Sequence, residues 1–305
     1  MLRTVPEDFE VTETLAFEPS GTGEHLYLFV EKRAITTGEA HRRLAEDFGV
    51  PRADVSYAGM KDRHAVARQW FSVRGPRDEA DTRGPGLRVL RQARHPRKLR
   101  RGQLRSNRFR IRVRAVSGDV EPHLRGVASH GVPNYFGPQR FGVDGGNVAA
   151  ARQWARAGRP RVPRFTRGVY LSSLRSFLFN EVLGRRVADG SWDTALAGEA
   201  LVEGAPSGPL WGRGIPTSRD AALELESATA GAFPDIVDAL EHVGLRQERR
   251  SLRLVPTDVS WSLEGDVLTF ECVLPKGAYA TSVLREVGAF RDAPGGTVRP
   301  GRAAA

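Results

Sequence analysis

Residues 8 to 13 alternate, with Phe9 and Val11 on one face and Glu10 and Thr12 on the other, which predicts a half-buried strand. Leu26 to Val30 is apolar at every position and predicts a strand covered on both faces. A helix follows: Thr36 and Glu39 are spaced for a capping box, Ala40, Leu44 and Phe48 share a face, and Gly49 with Pro51 stops it. Arg108 to Arg114 alternates strictly, so Phe109, Ile111 and Val113 face a core while Arg108, Arg110, Arg112 and Arg114 line the other side. Helical patterns recur at about 120–130, after Asn147 as cap, after Ser172, at 218–228 and at 234–243. Strand patterns close the chain at 252–255, 259–263 and 267–274, and residues 274–286 read as a loop entering a helix. Loop is expected from Gly75 to Gly86, and no fixed structure after Asp292. The run Gly158 to Arg164, rich in glycine, proline and arginine, predicts a boundary between domains.

At 305 residues the chain is long enough for two domains with a sizeable core. Its net charge of +10 argues for a polyanionic partner. Residues 91–114 concentrate that charge, with eleven Arg or Lys, one His and no acid. Like charges along one strand face repel unless a counter-charge visits, so a nucleic-acid backbone is the expected visitor of Arg108, Arg110 and Arg112. The single cysteine, Cys272, lies in an apolar run; it excludes an internal disulfide and a thiolate cluster, and a buried thiol fits a reducing cytoplasm. The first residues lack the apolar core of a signal peptide, and no stretch approaches the ~20 apolar residues of a membrane helix, so no membrane association is expected.

The most chemically suggestive segment is Tyr57-Ala58-Gly59-Met60-Lys61-Asp62-Arg63-His64-Ala65. It falls between apolar stretches, on a loop or strand end, where reactive groups are commonly presented. Lys61 and Arg63 flank Asp62 and are expected to favour its ionised form; Gly59 allows a turn where a side chain would clash. A surface Lys-Asp-Arg run is the plain alternative. His64 suggests an acid–base partner, but a packing or solvent-facing histidine suits it better. Residues Pro133 to Gly142 hold three aromatics, two glycines and two prolines beside Asn134, Gln139 and Arg140. Such a loop can stack on a base and bond its edge, or it can plug a core. There is no phosphate-cradling loop or dinucleotide fingerprint, and the seven histidines show no metal spacing. Neither metal nor cofactor is therefore expected, which leaves a carboxylate acting on RNA.

Three blocks, Ala58–Ala65, Asn134–Gly142 and Leu274–Glu286, together resemble the TruD family of pseudouridine synthases. Pro6–Val11, Leu99–Leu104 and Arg175–Asn180 are also similar to segments of that family, in the same order, from Leu2 to about Phe290. The resemblance implies isomerisation of a tRNA uridine to pseudouridine at position 13 of the D arm, with tRNA as partner. By resemblance Asp62 matches the catalytic aspartate, and Phe9, Asn134 and Tyr279 match positions that contact the flipped nucleotide. Phe136 takes the place of an aromatic that packs on the target base, and Arg3 falls where the family often has lysine near the site. Lys61, Arg63, Arg108, Arg110, Arg112 and Arg140 complete the expected RNA-binding set. The implied fold class is α+β: a catalytic domain with a mixed, mainly antiparallel sheet and flanking helices over 1–159 and 255–305, and an inserted smaller α/β domain over 160–254. The position of Met1 just ahead of the Phe9 strand leaves open whether an N-terminal strand is missing. Two rivals stand beside this reading, a non-catalytic RNA-binding module and an RNA hydrolase. Oligomeric state, a monomer included, stays open.

Overall fold

The computed structural model describes residues 1–75 and 83–291, so most of the loop expected at 75–86 and the tail from 292 lie outside the described residues. In chain order the elements are β1 (Phe9–Leu15), β2 (His25–Arg33), α1 (Thr37–Asp47), β3 (Val55–Tyr57), β4 (Val66–Arg74), β5 (Arg83–Gly84), β6 (Leu87–His95) and β7 (Leu104–Val113). Next come α2 (Glu121–His130), β8 (Val132–Pro133), α3 (Gly146–Arg156), α4 (Arg164–Ala188), β9 (Ser207–Leu210), α5 (Asp220–Gly231) and α6 (Pro234–Glu241). The last are β10 (Glu248–Ser251), β11 (Arg253–Leu254), β12 (Thr257–Glu264), β13 (Val267–Pro275) and α7 (Ala280–Val287).

The chain divides into two compact units. The first holds Met1–Ala128, Pro256–Gly277 and residues 287–291; the second holds Ser129–Val255 and Ala278–Glu286.

In the first unit nine strands form one sheet in the order β12-β13-β7-β1-β4-β2-β6-β5, with β3 paired to β4. Among the described residues of this sheet only β1 and β4 run parallel; the other pairings are antiparallel. This is the mixed, mainly antiparallel sheet with flanking helices that the α+β reading expected. On β1 the side chains of Phe9, Val11, Glu13 and Leu15 are buried, as strand alternation requires. Helix α1 begins where the Thr36 hydroxyl accepts from the Glu39 amide, and it packs Ala40 and Leu44 on Leu26, Leu28, Phe71 and Val73. The Glu39 carboxylate turns to Arg43 instead of closing the capping box. Gly49 ends the helix at φ +61°, a conformation glycine adopts cheaply. Cys272 is buried, and burial pushes its thiol pKa up to about 12.

The opposite face of this sheet carries an alternating row of charges. Glu271 on β13 meets Arg110 on β7 at 3.1 Å, and Arg110 reaches Glu10 on β1 at 3.5 Å. Glu10 meets Arg68 on β4 at 3.2 Å, Arg68 meets Glu31 on β2 at 2.8 Å, and Glu31 meets Arg88 on β6 at 3.0 Å. Strand register builds this row, since Glu10 and Glu271 both stand directly opposite Arg110. Arg108 pairs with Asp258, and Arg114 grips the buried Asp8 at 2.7 Å. Phe109, Ile111 and Val113 are buried as expected, but the counter-charges for the arginines come largely from the protein itself.

The second unit buries Trp154, Leu171, Leu174, Leu178, Trp211, Ile236 and Leu240, drawn from α3, α4, α6 and the residue after β9. Two helix starts differ from expectation. Helix α3 begins at Gly146 with Gly145 at its cap, so Asn147 lies inside it. Helix α4 begins at Arg164 behind Pro163, and Ser172 sits within the helix, where its hydroxyl donates back to the Val169 carbonyl. The run Gly158–Arg164, expected between domains, lies inside this unit and joins α3 to α4, held by a bond from Trp154 Nε1 to the Pro160 carbonyl.

Candidate active site

Asp62 lies on the loop between β3 and β4, on the first unit, and two nets of buried polar groups fix that loop. In one, Lys61 Nζ donates to Glu13 Oε2 and to Asn107 Oδ1, each at 2.7 Å, with the carboxylate of Glu13 fully buried. Glu13 Oε1 also accepts the Trp70 amide at 3.1 Å. Gly59 passes so close that a Cβ there would sit 2.9 Å from Glu13 Oε2, which makes close approach the reason for glycine at a negative φ. In the other net the Thr37 hydroxyl accepts the Lys61 amide at 2.9 Å and donates to Gln69 Oε1 at 3.0 Å, while Gln69 Nε2 donates to the Gly59 carbonyl at 3.0 Å.

Lys32 completes the frame. Its ammonium is wholly buried and donates to the carbonyls of Asp62 (2.6 Å) and Ile35 (2.8 Å). Burial is the main cause that lowers its pKa to about 8, opposed by the charge of Asp62. The segment Leu99–Leu104 supports the loop from below, as the Gly102 amide donates to the Ala58 carbonyl and Leu99 and Leu104 pack with Ala58.

The carboxylate of Asp62 stays partly open, 35% exposed, and meets Arg3 Nη2 at 3.3 Å. The Arg3 side chain is buried, its backbone has φ +56°, and its guanidinium lies 4.6 Å over the ring of Phe9, which packs edge-on to Phe109. The cation at Asp62 is therefore Arg3. Lys61 is spent on Glu13, and Arg63 is exposed with Nε donating to the Ala34 carbonyl. That corrects the expectation that the chain neighbours supply it. A carboxylate so placed, partly open and beside a cation, can act as nucleophile or base.

In the second unit the loop Pro133–Gly142 is held by neutral amides and hydroxyls together with two guanidinium groups. Asn180 clamps Phe136 twice, accepting its amide at 2.9 Å and donating to its carbonyl at 3.0 Å. Ser282 donates to the Tyr135 carbonyl and Ser173 to the Arg140 carbonyl. Arg140 Nε donates to the Tyr279 hydroxyl at 3.1 Å. Phe136 packs edge-on to Phe179 (5.4 Å) and Tyr279 (6.1 Å). A Cβ on Gly137 would meet Gln139, Thr281 and Tyr279 within 3.1 Å. The expected Asn134, Phe136, Arg140 and Tyr279 are thus brought together, with Asn134 and Phe136 buried.

Arg250, absent from the expected residues, joins this group. Its guanidinium lies 4.2 Å over Phe136 and 5.5 Å over Phe179, and Nη2 donates to Asn134 Oδ1. Burial first, and Arg140 second among the lowering causes, bring its pKa down to about 10, so it is charged at neutral pH. The signal available was an arginine beside Ser251 in the wholly polar stretch 248–251, which gives no hint of its aromatic neighbours. Among the described residues no group of three or more His, Cys, Asp or Glu is placed to hold a metal ion, and no helix is long and apolar enough to cross a membrane.

These features define a class first. The fold is that of the pseudouridine-synthase-like α+β proteins: the chain matches the solved structure of the assigned tRNA pseudouridine synthase D (TruD) of Methanosarcina mazei with a TM-score of 0.67, over 94% of this chain and 92% of that one, at 20% identity. The family model for tRNA pseudouridine synthase D (TruD) matches residues 1–149. The tRNA pseudouridine synthase D of Cellvibrio japonicus (strain Ueda107) is 47% identical over 93% of this chain and 88% of its own length. That of Pseudomonas aeruginosa (strain LESB58) is 44% identical over 94% and 90%. The chain belongs to the tRNA pseudouridine synthase D (TruD) family.

Proposed function

We propose that this chain isomerises uridine to pseudouridine in tRNA, at position 13 of the D arm, with Asp62 as the catalytic group. The observation that carries this reading is the Asp62 loop: a partly open carboxylate beside Arg3, on a backbone fixed by buried polar nets, in a chain of this family. The reaction breaks the N1–C1′ bond, turns the uracil and joins C5 to C1′; C5 gives up its proton to solvent and N1 takes one up, so the product is an isomer of the substrate. Bonds broken and made are alike in kind, so no energy-rich co-substrate is required.

The nucleotide must first leave its stack, at a cost of a few kcal/mol. In the first unit Phe9 is proposed to contact the everted nucleotide and Arg3 to pair with Asp62; in the second unit Asn134, Phe136 and Tyr279 are proposed as nucleotide contacts; and Arg63, Arg112 and Arg140 are proposed to meet the RNA backbone. Lys61, Arg108 and Arg110, which already pair with Glu13, Asp258 and Glu271, are proposed to contribute less to that contact. Asp62 then attacks covalently or removes a proton in a glycal route. The protein works without a membrane, in the cytoplasm. Incubation with unmodified tRNA transcripts, followed by mapping of pseudouridine nucleotide by nucleotide, tests the reading. Conversion of U13 is expected; intact uridine throughout would leave a non-catalytic RNA-binding module, and conversion confined to other positions would remove the site assignment.

A further inference from the structure

Asn134 is tied down at three atoms. Its amide N–H donates to the Leu252 carbonyl at 2.8 Å, Nδ2 donates to the Ser251 carbonyl at 2.8 Å, and Oδ1 accepts from Arg250 Nη2. The pairing of β8 with β11 brings these partners into place. Two of the contacts depend on the sense of the carboxamide. A guanidinium can only donate, and a backbone carbonyl can only accept. Turning the amide over would set N–H against N–H at Arg250 and oxygen against oxygen at Ser251. The orientation of Asn134 is therefore fixed from both ends.

A carboxamide held this way keeps one spare hydrogen on Nδ2 and one spare lone pair on Oδ1. Uracil offers the complement, a donor at N3–H flanked by carbonyl acceptors. Cytosine has an acceptor at N3, whichever neighbouring group is read with it. A free asparagine could turn over to suit either base. We propose that Arg250 is a specificity-determining residue: by locking the Asn134 carboxamide it makes the site accept an everted uracil and reject an everted cytosine. This rests on the reading that Asn134 meets the everted base. Arg250 is the half of the lock that substitution can reach, because the Ser251 contact is made by backbone. Its own place is set by the rings of Phe136 and Phe179.

The test measures binding of the full-length protein to two tRNA transcripts that differ only in the target nucleotide, uridine or cytidine. The affinity ratio is compared between protein variants, so the cost of everting each base cancels. Arg250→Gln can both donate and accept, and Arg250→Met can do neither; whichever of the two folds, by circular dichroism, is expected to lower the uridine preference by about fivefold or more. Arg250→Lys, which still only donates, is expected to keep it within about twofold. Asn134→Ala is expected to lose it as well. A Gln or Met variant with the preference intact, while Asn134→Ala loses it, overturns the lock and leaves the base contact standing. If Asn134→Ala keeps the preference, the base contact itself fails and the lock with it. If Arg250→Lys loses it too, Arg250 acts through packing on Phe136, which also overturns the lock.

Discussion

Two loops in two units are held still by opposite means. The Asp62 loop rests on buried charge: Lys61 against Glu13, and Lys32 against backbone carbonyls. The Pro133–Gly142 loop rests on neutral amides and hydroxyls, with guanidinium groups lying on aromatic rings. The difference follows from what each loop presents. A partly open carboxylate tolerates fixed cations around its backbone, and Arg3 in particular beside it. A surface that is to receive an uncharged pyrimidine suits apolar rings and oriented amides.

The largest effect is expected where the first loop meets chemistry. Asp62→Asn removes the charge and keeps the shape, so isomerisation should fall below detection in a tritium-release assay on tRNA labelled at uridine C5. Affinity for tRNA should drop by less than tenfold, or about 1.4 kcal/mol. Near-normal turnover would end the assignment of Asp62.

The buried charges of the same loop come next. Lys61→Met strands Glu13 without its cation, and breaking a buried pair in this way costs about 3–5 kcal/mol in urea unfolding. Adding Glu13→Gln removes the stranded charge and should recover part of that loss; a double variant no more stable than Lys61→Met would mean that shape, not charge, dominates the frame.

Lys32 makes the frame sensitive to pH. Its proton leaves near pH 8 in the folded chain but near 10.5 in the unfolded one. Between those values the unfolded state binds more protons, so stability attributable to Lys32 rises with pH; below pH 8 both states are protonated and the full cost of burial is present. Relative to Lys32→Met, which cannot titrate, the wild type should gain about 2–3 kcal/mol from pH 7.5 to pH 10. A constant difference would place the lysine pKa outside that window.

The second loop should break more gently. Asn180→Ala removes two neutral bonds to the Phe136 backbone, worth about 1–3 kcal/mol of stability, and should raise KM for tRNA more than it lowers kcat. A loss larger than that of Lys61→Met would invert the comparison.

Much of this was legible in the sequence where the cause is local. The Phe9 strand, the α1 stop at Gly49 and the alternation of Arg108–Arg114 all depend on near neighbours, and they appear as expected. The misread contacts of the charged groups share one cause, partners distant in sequence. Lys61 and Arg63 looked like the cations of Asp62 because they are adjacent in the chain, yet adjacent side chains of an open loop diverge, and the real cation lies 59 residues away. The arginine stripe looked uncompensated because Glu10 and Glu271 reach Arg110 only through strand register, about 100 and 161 residues off. Arg250 was invisible for the same reason, since its rings and its asparagine come from α4 and the loop after β8.

The smallest expected effect separates two neighbours on that stripe. Arg110 is matched by Glu10 and Glu271, whereas Arg112 stands opposite Thr269 and has no ion pair among the described residues. An arginine already neutralised by the protein must give up its own carboxylates before it can displace counterions from a phosphate, so it adds little to affinity. An unmatched arginine on the same face releases a counterion on contact. Arg112→Gln should therefore reduce the slope of log K for tRNA against log salt by about one, and Arg110→Gln by clearly less. Equal slopes for the two variants would show that the charge row opens when RNA arrives, and the contrast between a self-neutralised strand and an RNA-facing one would then dissolve.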